Sequence, residues 1–184
     1  MPFNLSAAGN SKRVSFGSGL LRVRAYDSTT PTSADDAGYG RGGSLNVTRE
    51  KVDLRLGTPR TLVIRYAVQE NVTLQFNSVE WSIPNIANTL GAGVQSGSAT
   101  DKTMLFGGDT MFNEVSVTFI HQMAAGGTVT LDLWRCQGVG EIAVNTTDDI
   151  HEIPYNFEAL VATSDWTNAL VNSKGSLFRM RIQV

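Results

Sequence analysis

The stretch that decides the fold is "EKVDLRLGTPRTLVIRYAVQENVTLQFNSVEWSIPNIANTLG", residues 50–91. Most of it alternates apolar and polar side chains, as β-strands with two different faces do. The alternating apolar residues on either side of the turn-forming "GTPR" are Val52, Leu54, Leu56, Leu62, Ile64 and Tyr66. These two runs predict a hairpin longer than a small barrel needs, so we expect part of it to project.

Just before this stretch the apolar residues change parity. Leu45 and Val47 occupy odd positions, whereas Val52 begins the even series. A shift of one residue moves an apolar set to the other face of a strand. We therefore expect a bulge or bend near Glu50 and Lys51.

After the hairpin the pattern becomes helical, over residues 82–90. Ser82 suits the N-cap, Pro84 suits the first turn, and Gly91 suits the residue that ends a helix. The side chains expected to pack this helix against a sheet are Trp81, Ile86 and Leu90. Trp81 in particular is expected to wedge the strand and the helix together.

The remainder of the chain adds strand patterns and turns. The polar, glycine-rich segment 27–43 is expected to be a long loop, and residues 140–145 ("GEIAVN") a further edge strand. The residues expected to face inward on three later strands are Val115, Val117, Phe119, Val129, Leu131, Leu133, Phe178, Met180 and Ile182. Eight to ten strands predict an all-β protein.

The architecture expected is a β-sandwich or partly closed barrel of two packed antiparallel sheets, with one short flanking helix and a long projecting loop or hairpin. The 184 residues suit one domain, residues 1–184, within which segments 27–43 and 50–62 project.

Composition narrows the classes of function. A formal net charge of −2 offers no basic surface for holding nucleic acid, and one cysteine excludes an internal disulfide. Neither a signal peptide nor a membrane span is visible, so we expect a chain made in a cytoplasm that stays soluble.

Residues able to carry chemistry are few. His121, His151 and Cys136 lack the spacing of a zinc site, so no metal or cofactor is expected. An enzyme centred on Cys136 and His121 is one hypothesis, although a thiol needs a base beside it. Cys136 shares the parity of Trp134, which predicts that both lie on the face opposite Leu133. No catalytic residue is predicted.

Two loop patterns have part of a phosphate-binding or calcium-binding motif, but neither motif is complete. The "GYGRGG" of residues 38–43 lacks the lysine and crossover helix of a phosphate loop, so its glycines are expected to allow tight turns or close backbone approach. The acidic pairs at 35–36 and 148–149 lack the regular ligand series of a calcium loop.

Tryptophans next to carboxylates raise a different possibility. Trp166 follows Asp165 in a loop, and aromatic faces beside carboxylates are what sugar-binding modules use. A carbohydrate-binding β-sandwich module is therefore the alternative function. Packing in a core or an interface is the more usual role of such rings.

Two segments resemble a known family. "NVTLQFNSVEWSIPNIANTLGAG", residues 71–93, resembles the part of phage major tail tube proteins in which a strand rich in Val, Thr, Leu and Phe leads into a short helix. The matching residues are Val72, Thr73, Leu74, Phe76, Ile86, Ala87, Leu90 and Gly91. "EIPYNFEALVATSDW" followed by "GSLFRMRI" is similar to the closing pair of strands in that family.

The resemblance implies a structural virion protein without enzymatic activity. In that family a β-sandwich with a flanking helix assembles into rings, commonly hexamers, that stack into a hollow tube through which DNA passes without specific binding. Its implied partners are other copies of the chain, a tape-measure protein and a terminator or baseplate protein, in the virion tail and not at a membrane. The subunit-interface residues expected from the projecting segments are Tyr39, Arg41, Arg55 and Arg60.

Overall fold

The computed structural model describes residues 19–27, 29–98, 101–108, 111–123, 126–140, 152–164, 166 and 175–183. The strands are β1 (Leu20–Ala25), β2 (Asp36–Leu56), β3 (Thr61–Ser78), β4 (Val94–Gly97), β5 (Lys102–Leu105), β6 (Glu114–Gln122), β7 (Thr128–Gly138), β8 (Ile153–Ala159) and β9 (Arg179–Gln183), and one helix, α1 (Ile83–Leu90), lies between β3 and β4. Residues 141–145 of the predicted edge strand, and the acidic pair at 148–149, lie outside this range.

Most of the strands form one antiparallel sheet that closes on itself. Its order is β6-β1-β2-β3-β8-β7-β9, and β6 also pairs with β7. The first six strands in that order therefore make a barrel, with β9 added alongside β7. The closure between β7 and β8 is only three residue pairs long. β4 and β5 form a separate two-stranded sheet, and the predicted all-β fold is confirmed.

The barrel interior is filled by the apolar side chains that alternate along its strands. Val115, Val117 and Leu133 are almost completely buried, as predicted. β8 shows the alternation most clearly, since Ile153, Tyr155, Phe157 and Ala159 are buried and the residues between them are only half-buried. The rings of Phe76 and Phe119 meet edge to face with centroids 5.9 Å apart.

Cys136 departs from the predicted parity. It lies in the same buried cluster as Leu133, whereas Trp134 belongs to a second cluster with Ala162 and Trp166. The reason is a register shift between the β6–β7 pairs at Val115 and Val117, which inserts an extra residue into β7. One extra residue reverses the face on which the following side chains lie.

The last strand also departs from the prediction. Met180 and Ile182 were expected to face inward, but each is more than half exposed, and Phe178 is only half-buried. β9 pairs with β7 alone among the described strands, so its other edge is open and little covers its apolar side chains.

The helix forms where it was predicted, with two differences in detail. Gly91 ends it in a left-handed conformation (φ 66°), but the Ser82 side chain makes no capping hydrogen bond. Ile86 is buried and Leu90 is half-buried against the barrel core, as predicted. Trp81 is 54% exposed, so the prediction that its ring wedges strand and helix together is wrong.

The loop predicted over residues 27–43 is shorter in the structure. A 3₁₀ turn at Ser33–Asp35, capped by Thr32, is followed directly by β2 from Asp36. Glycines within this part of β2 allow close approach between strands: a Cβ added at Gly40 would collide with the Phe76 ring. The expectation that these glycines permit close approach is confirmed at that position.

The contact between α1 and the end of β7 depends on a missing side chain. A Cβ added at Gly138 would overlap the backbone carbonyl oxygens of Asn88 and Thr89, whereas one added at Gly42 would meet no heavy atom within 4 Å. We expect Gly138→Ala to lower the free energy of unfolding by about 1–3 kcal/mol and Gly42→Ala to change it by less than about 0.5 kcal/mol. Urea unfolding measures both, and equal effects would contradict this account of how α1 docks.

Candidate assembly surface

The long hairpin extends beyond the rest of the barrel. β1 pairs with β2 only at Asp36 and Tyr39, and β8 pairs with β3 only from Thr73 onward. Between these limits β2 and β3 have only each other as partners within the described chain. We call residues 48–71 the arm; it is roughly 25 Å long at about 3.3 Å per residue.

Nearly every residue of the arm is exposed. Its large apolar side chains are between 41% and 64% exposed, and they are Val52, Leu54, Leu56, Leu62, Val63, Ile64, Tyr66 and Val68. Single exposed apolar residues are ordinary, whereas a contiguous set of this size is typical of interaction surfaces. An isolated two-stranded hairpin is also marginally stable in water.

A bulge determines which way the apolar face of the arm points. The pair Glu50–Gln69 is followed by the pair Lys51–Ala67, so Val68 is an extra residue on β3. This confirms the break in register predicted near Glu50 and Lys51. Val68 itself is 64% exposed.

The apolar face lies on opposite sides of the hairpin before and after this bulge. In the barrel, Val47 pairs with the buried Val72 on the interior face. Val52 is five positions further along β2 and pairs with Tyr66. Because side chains alternate along a strand, an odd number of positions places Val52 on the opposite face from Val47. The apolar face of the arm therefore continues the outer surface of the barrel and does not extend its core.

The other face of the arm carries cross-strand ion pairs. Arg49 pairs with Glu70, and Arg65 Nε donates to Asp53 Oδ1 at 2.6 Å. The hydrogen bond from Arg65 holds the pKa of the Asp53 carboxyl below its usual range. Such exposed pairs contribute little to stability, because water and salt screen the charges. Up to the pair of Leu54 with Ile64, the arm therefore carries charges on one side and apolar groups on the other. A second register shift then pairs Arg55 with Leu62, so both kinds of side chain share a face near the tip.

The four interface residues expected from the sequence lie in different places. Arg55 is on the charged face of the arm, 3.6 Å from Asp53, and Arg60 lies exposed in the turn at its tip. Tyr39 is 65% exposed near the base of the hairpin, where its backbone N–H donates to Glu80. The Arg41 side chain lies outside the described part, although its backbone belongs to β2.

Sequence reasoning did not assign the apolar residues of the arm to an interface. Their alternation was visible and predicted strands, but alternation alone does not show whether a face meets the core or solvent. The signal that could have shown it was the change of parity between Val47 and Val52. It places the second apolar series opposite the one that fills the barrel.

The Cys136 thiol and the His121 imidazole, on which the enzyme hypothesis depends, are not in contact. The Cys136 thiol is fully buried and donates to the Val115 backbone oxygen at 3.2 Å. Burial raises its pKa far above the usual range. His121 lies six residues from Val115 along β6, roughly 20 Å away. His121 is therefore too far away to act as the base for this thiol.

The remaining candidate ligand sites offer little support for binding chemistry. No group of three or more His, Cys, Asp or Glu residues able to hold a metal occurs in the described ranges. Trp166 is 8% exposed and packs with Trp134, which leaves little of its ring face for a sugar. Asp165 and His151 lie outside the described residues.

Comparison with protein-family models and with curated proteins finds no match. Within the residues that the structure covers, no helix has the length and apolar character needed to cross a membrane.

The burial of Cys136 makes a direct prediction about its reactivity. We expect an aromatic disulfide reagent to leave the native protein unlabelled, because the thiol is both inaccessible and protonated. One thiol per chain should react after unfolding in urea. Rapid labelling of the folded protein at neutral pH, measured by absorbance, would contradict the structure and favour a reactive cysteine.

Proposed function

We propose that this chain is a phage tail tube subunit, which assembles into rings that stack into a hollow tube for DNA passage. The observation that carries the proposal is the arm, whose exposed apolar face has no partner within the described chain. The resemblance of residues 71–93 and of the closing strands to major tail tube proteins supports this assignment.

Assembly would pair the strand edges that have no partner in a single copy. Both outer edges of the arm and the free edge of β9 carry unpaired backbone groups in the described residues, and open edges are sites of pairing with another chain. A head-to-tail contact that closes on itself gives a ring, and stacking of rings gives a tube. In this proposal the arm reaches a neighbouring copy.

The charge of the chain fits passage of DNA without retention. A net charge of −2 provides no large excess of cations for counterion release at phosphates. The proposed subunit is structural and not an enzyme. Its other partners would be a tape-measure protein and a terminator or baseplate protein of the virion tail.

Substitutions on the arm test the proposal. We expect purified protein to form rings or tubes in negative-stain images, and the double variant Leu54→Asp, Ile64→Asp to raise the concentration needed for assembly by roughly a hundredfold or more. The reason is that each change removes an apolar side chain from the proposed contact and adds a charge there.

Leu105→Asp is the control, because Leu105 is an exposed leucine on β5, a strand that pairs with β4 and not with the arm. This control should assemble like the parent chain, and circular dichroism should show all variants folded. A parent chain that stays monomeric at high concentration in varied salt would contradict the proposal. An arm variant that assembles as well as the control would do the same.

A further inference from the structure

A row of polar side chains crosses four adjacent strands on the outside of the barrel. Arg22 on β1 pairs with Thr118 on β6, Thr118 pairs with Asp132 on β7, and Asp132 pairs with Arg179 on β9. Residues directly opposite one another share a face of a sheet, so these four side chains form one line. In the next row on that face, Arg181 pairs with Thr130.

The acidic residue in the middle of the row is buried, and both of its carboxylate oxygens accept hydrogen bonds. Asp132 is 2% exposed. Its Oδ1 accepts from Thr118 at 3.3 Å, and its Oδ2 accepts from Arg179 Nε at 3.0 Å and from the terminal nitrogen of Arg179 at 2.7 Å. The positive charge of Arg22 is balanced by a different carboxylate, since Arg22 Nε donates to Asp36 at 2.7 Å. Arg181 has no ion-pair partner among the described residues, so the cluster keeps one positive charge.

Two buried indoles with unpaired hydrogen-bond donors lie next to this row. The Arg179 guanidinium lies over the Trp134 ring, 5.6 Å from its centroid, and Trp134 packs with Trp166. Both rings are more than nine-tenths buried, and neither Nε1 has an acceptor within the described part of the chain. Buried donors without acceptors are rare in native proteins and call for a specific explanation.

The row and Trp166, but not Trp134, border one pocket of about 300 Å³, lined by Arg22, Thr118, Thr130, Trp166, Arg179 and Arg181 among others. Its lining offers guanidinium, hydroxyl and indole donors, while its one carboxylate, Asp132, already accepts hydrogen bonds at both oxygens from Thr118 and Arg179. An excess of donors with one uncompensated positive charge fits an oxygen anion with a single negative charge.

We propose that this pocket binds a carboxylate group. The single net charge fits a carboxylate better than a doubly charged phosphate, and a guanidinium presents paired donors that match two carboxylate oxygens. The carboxylate comes either from a small free acid or from an acidic side chain of a second copy of the chain. Binding of a free carboxylate is independent of the tail tube proposal.

Titration with sodium acetate on full-length ¹⁵N-labelled protein, kept dilute enough to remain unassembled, tests the site. The chain has three tryptophans, so three indole N–H signals are available. We expect acetate to shift the Trp166 signal in a saturable manner and to leave that of Trp81 unchanged, because Trp81 is exposed and lies outside the pocket. Sodium chloride at equal ionic strength serves as the salt control.

Arg181→Gln should weaken acetate binding roughly tenfold, because it removes the uncompensated charge and the hydrogen bonds that the guanidinium would donate to acetate. Arg60→Gln removes an equivalent exposed arginine at the arm tip and should bind acetate like the parent chain. No saturable shift of the Trp166 signal, the same shift with chloride, or equal weakening by both substitutions would overturn the proposal.

A second measurement separates the two sources of the carboxylate. If Arg181→Gln lowers acetate binding and also weakens self-association in sedimentation, the natural occupant is an acidic side chain of another copy. If it lowers acetate binding alone, the pocket takes a small free acid. Both results support the site, and either can be obtained whether or not the chain forms tubes.

Discussion

The structure depends on one antiparallel ladder, between β2 and β3, and on the point where its register breaks. Up to the pair of Val47 with Val72 the ladder belongs to the barrel, and buried side chains such as Leu74 and Phe76 lie in the core. Beyond this pair the same two strands continue as the arm, and past the extra residue Val68 the apolar groups face the other way. A single added residue thus separates a segment that stabilises the fold from a segment whose apolar surface is available to a partner.

This arrangement gives a physical reason for assembly that does not require a catalytic site. The barrel closes its strands, and none of the residues of its buried core cluster belongs to the arm. The arm exposes apolar side chains, and covering them in the proposed assembly would stabilise the contact between copies. The ion pairs on its charged face, such as Arg65 with Asp53, favour one face over the other as the contact surface.

Local patterns predicted the local features of this fold, and long-range register explains where they failed. The hairpin, the break near Glu50 and the helix ending at Gly91 follow from alternation and turn chemistry within a few residues. The predicted face of Cys136 was wrong because the register shift that changes it arises from the pairing of β7 with β6. The prediction that Met180 faces inward was wrong because its exposure depends on an unpaired edge of β9. The outer pocket has no local signal in the sequence, since Arg22 and Arg179 come to line it only through the pairing of four strands.

Hydrogen–deuterium exchange of the parent chain tests the central claim most directly, when the same sample is compared dilute and after assembly. Peptides from the arm, residues 48–71, should exchange rapidly in the dilute chain and markedly more slowly after assembly, while peptides from β7 should exchange slowly in both. This result is expected because another copy would cover the apolar face and pair the open edges. An arm that exchanges equally fast in assembled and dilute protein would contradict the account.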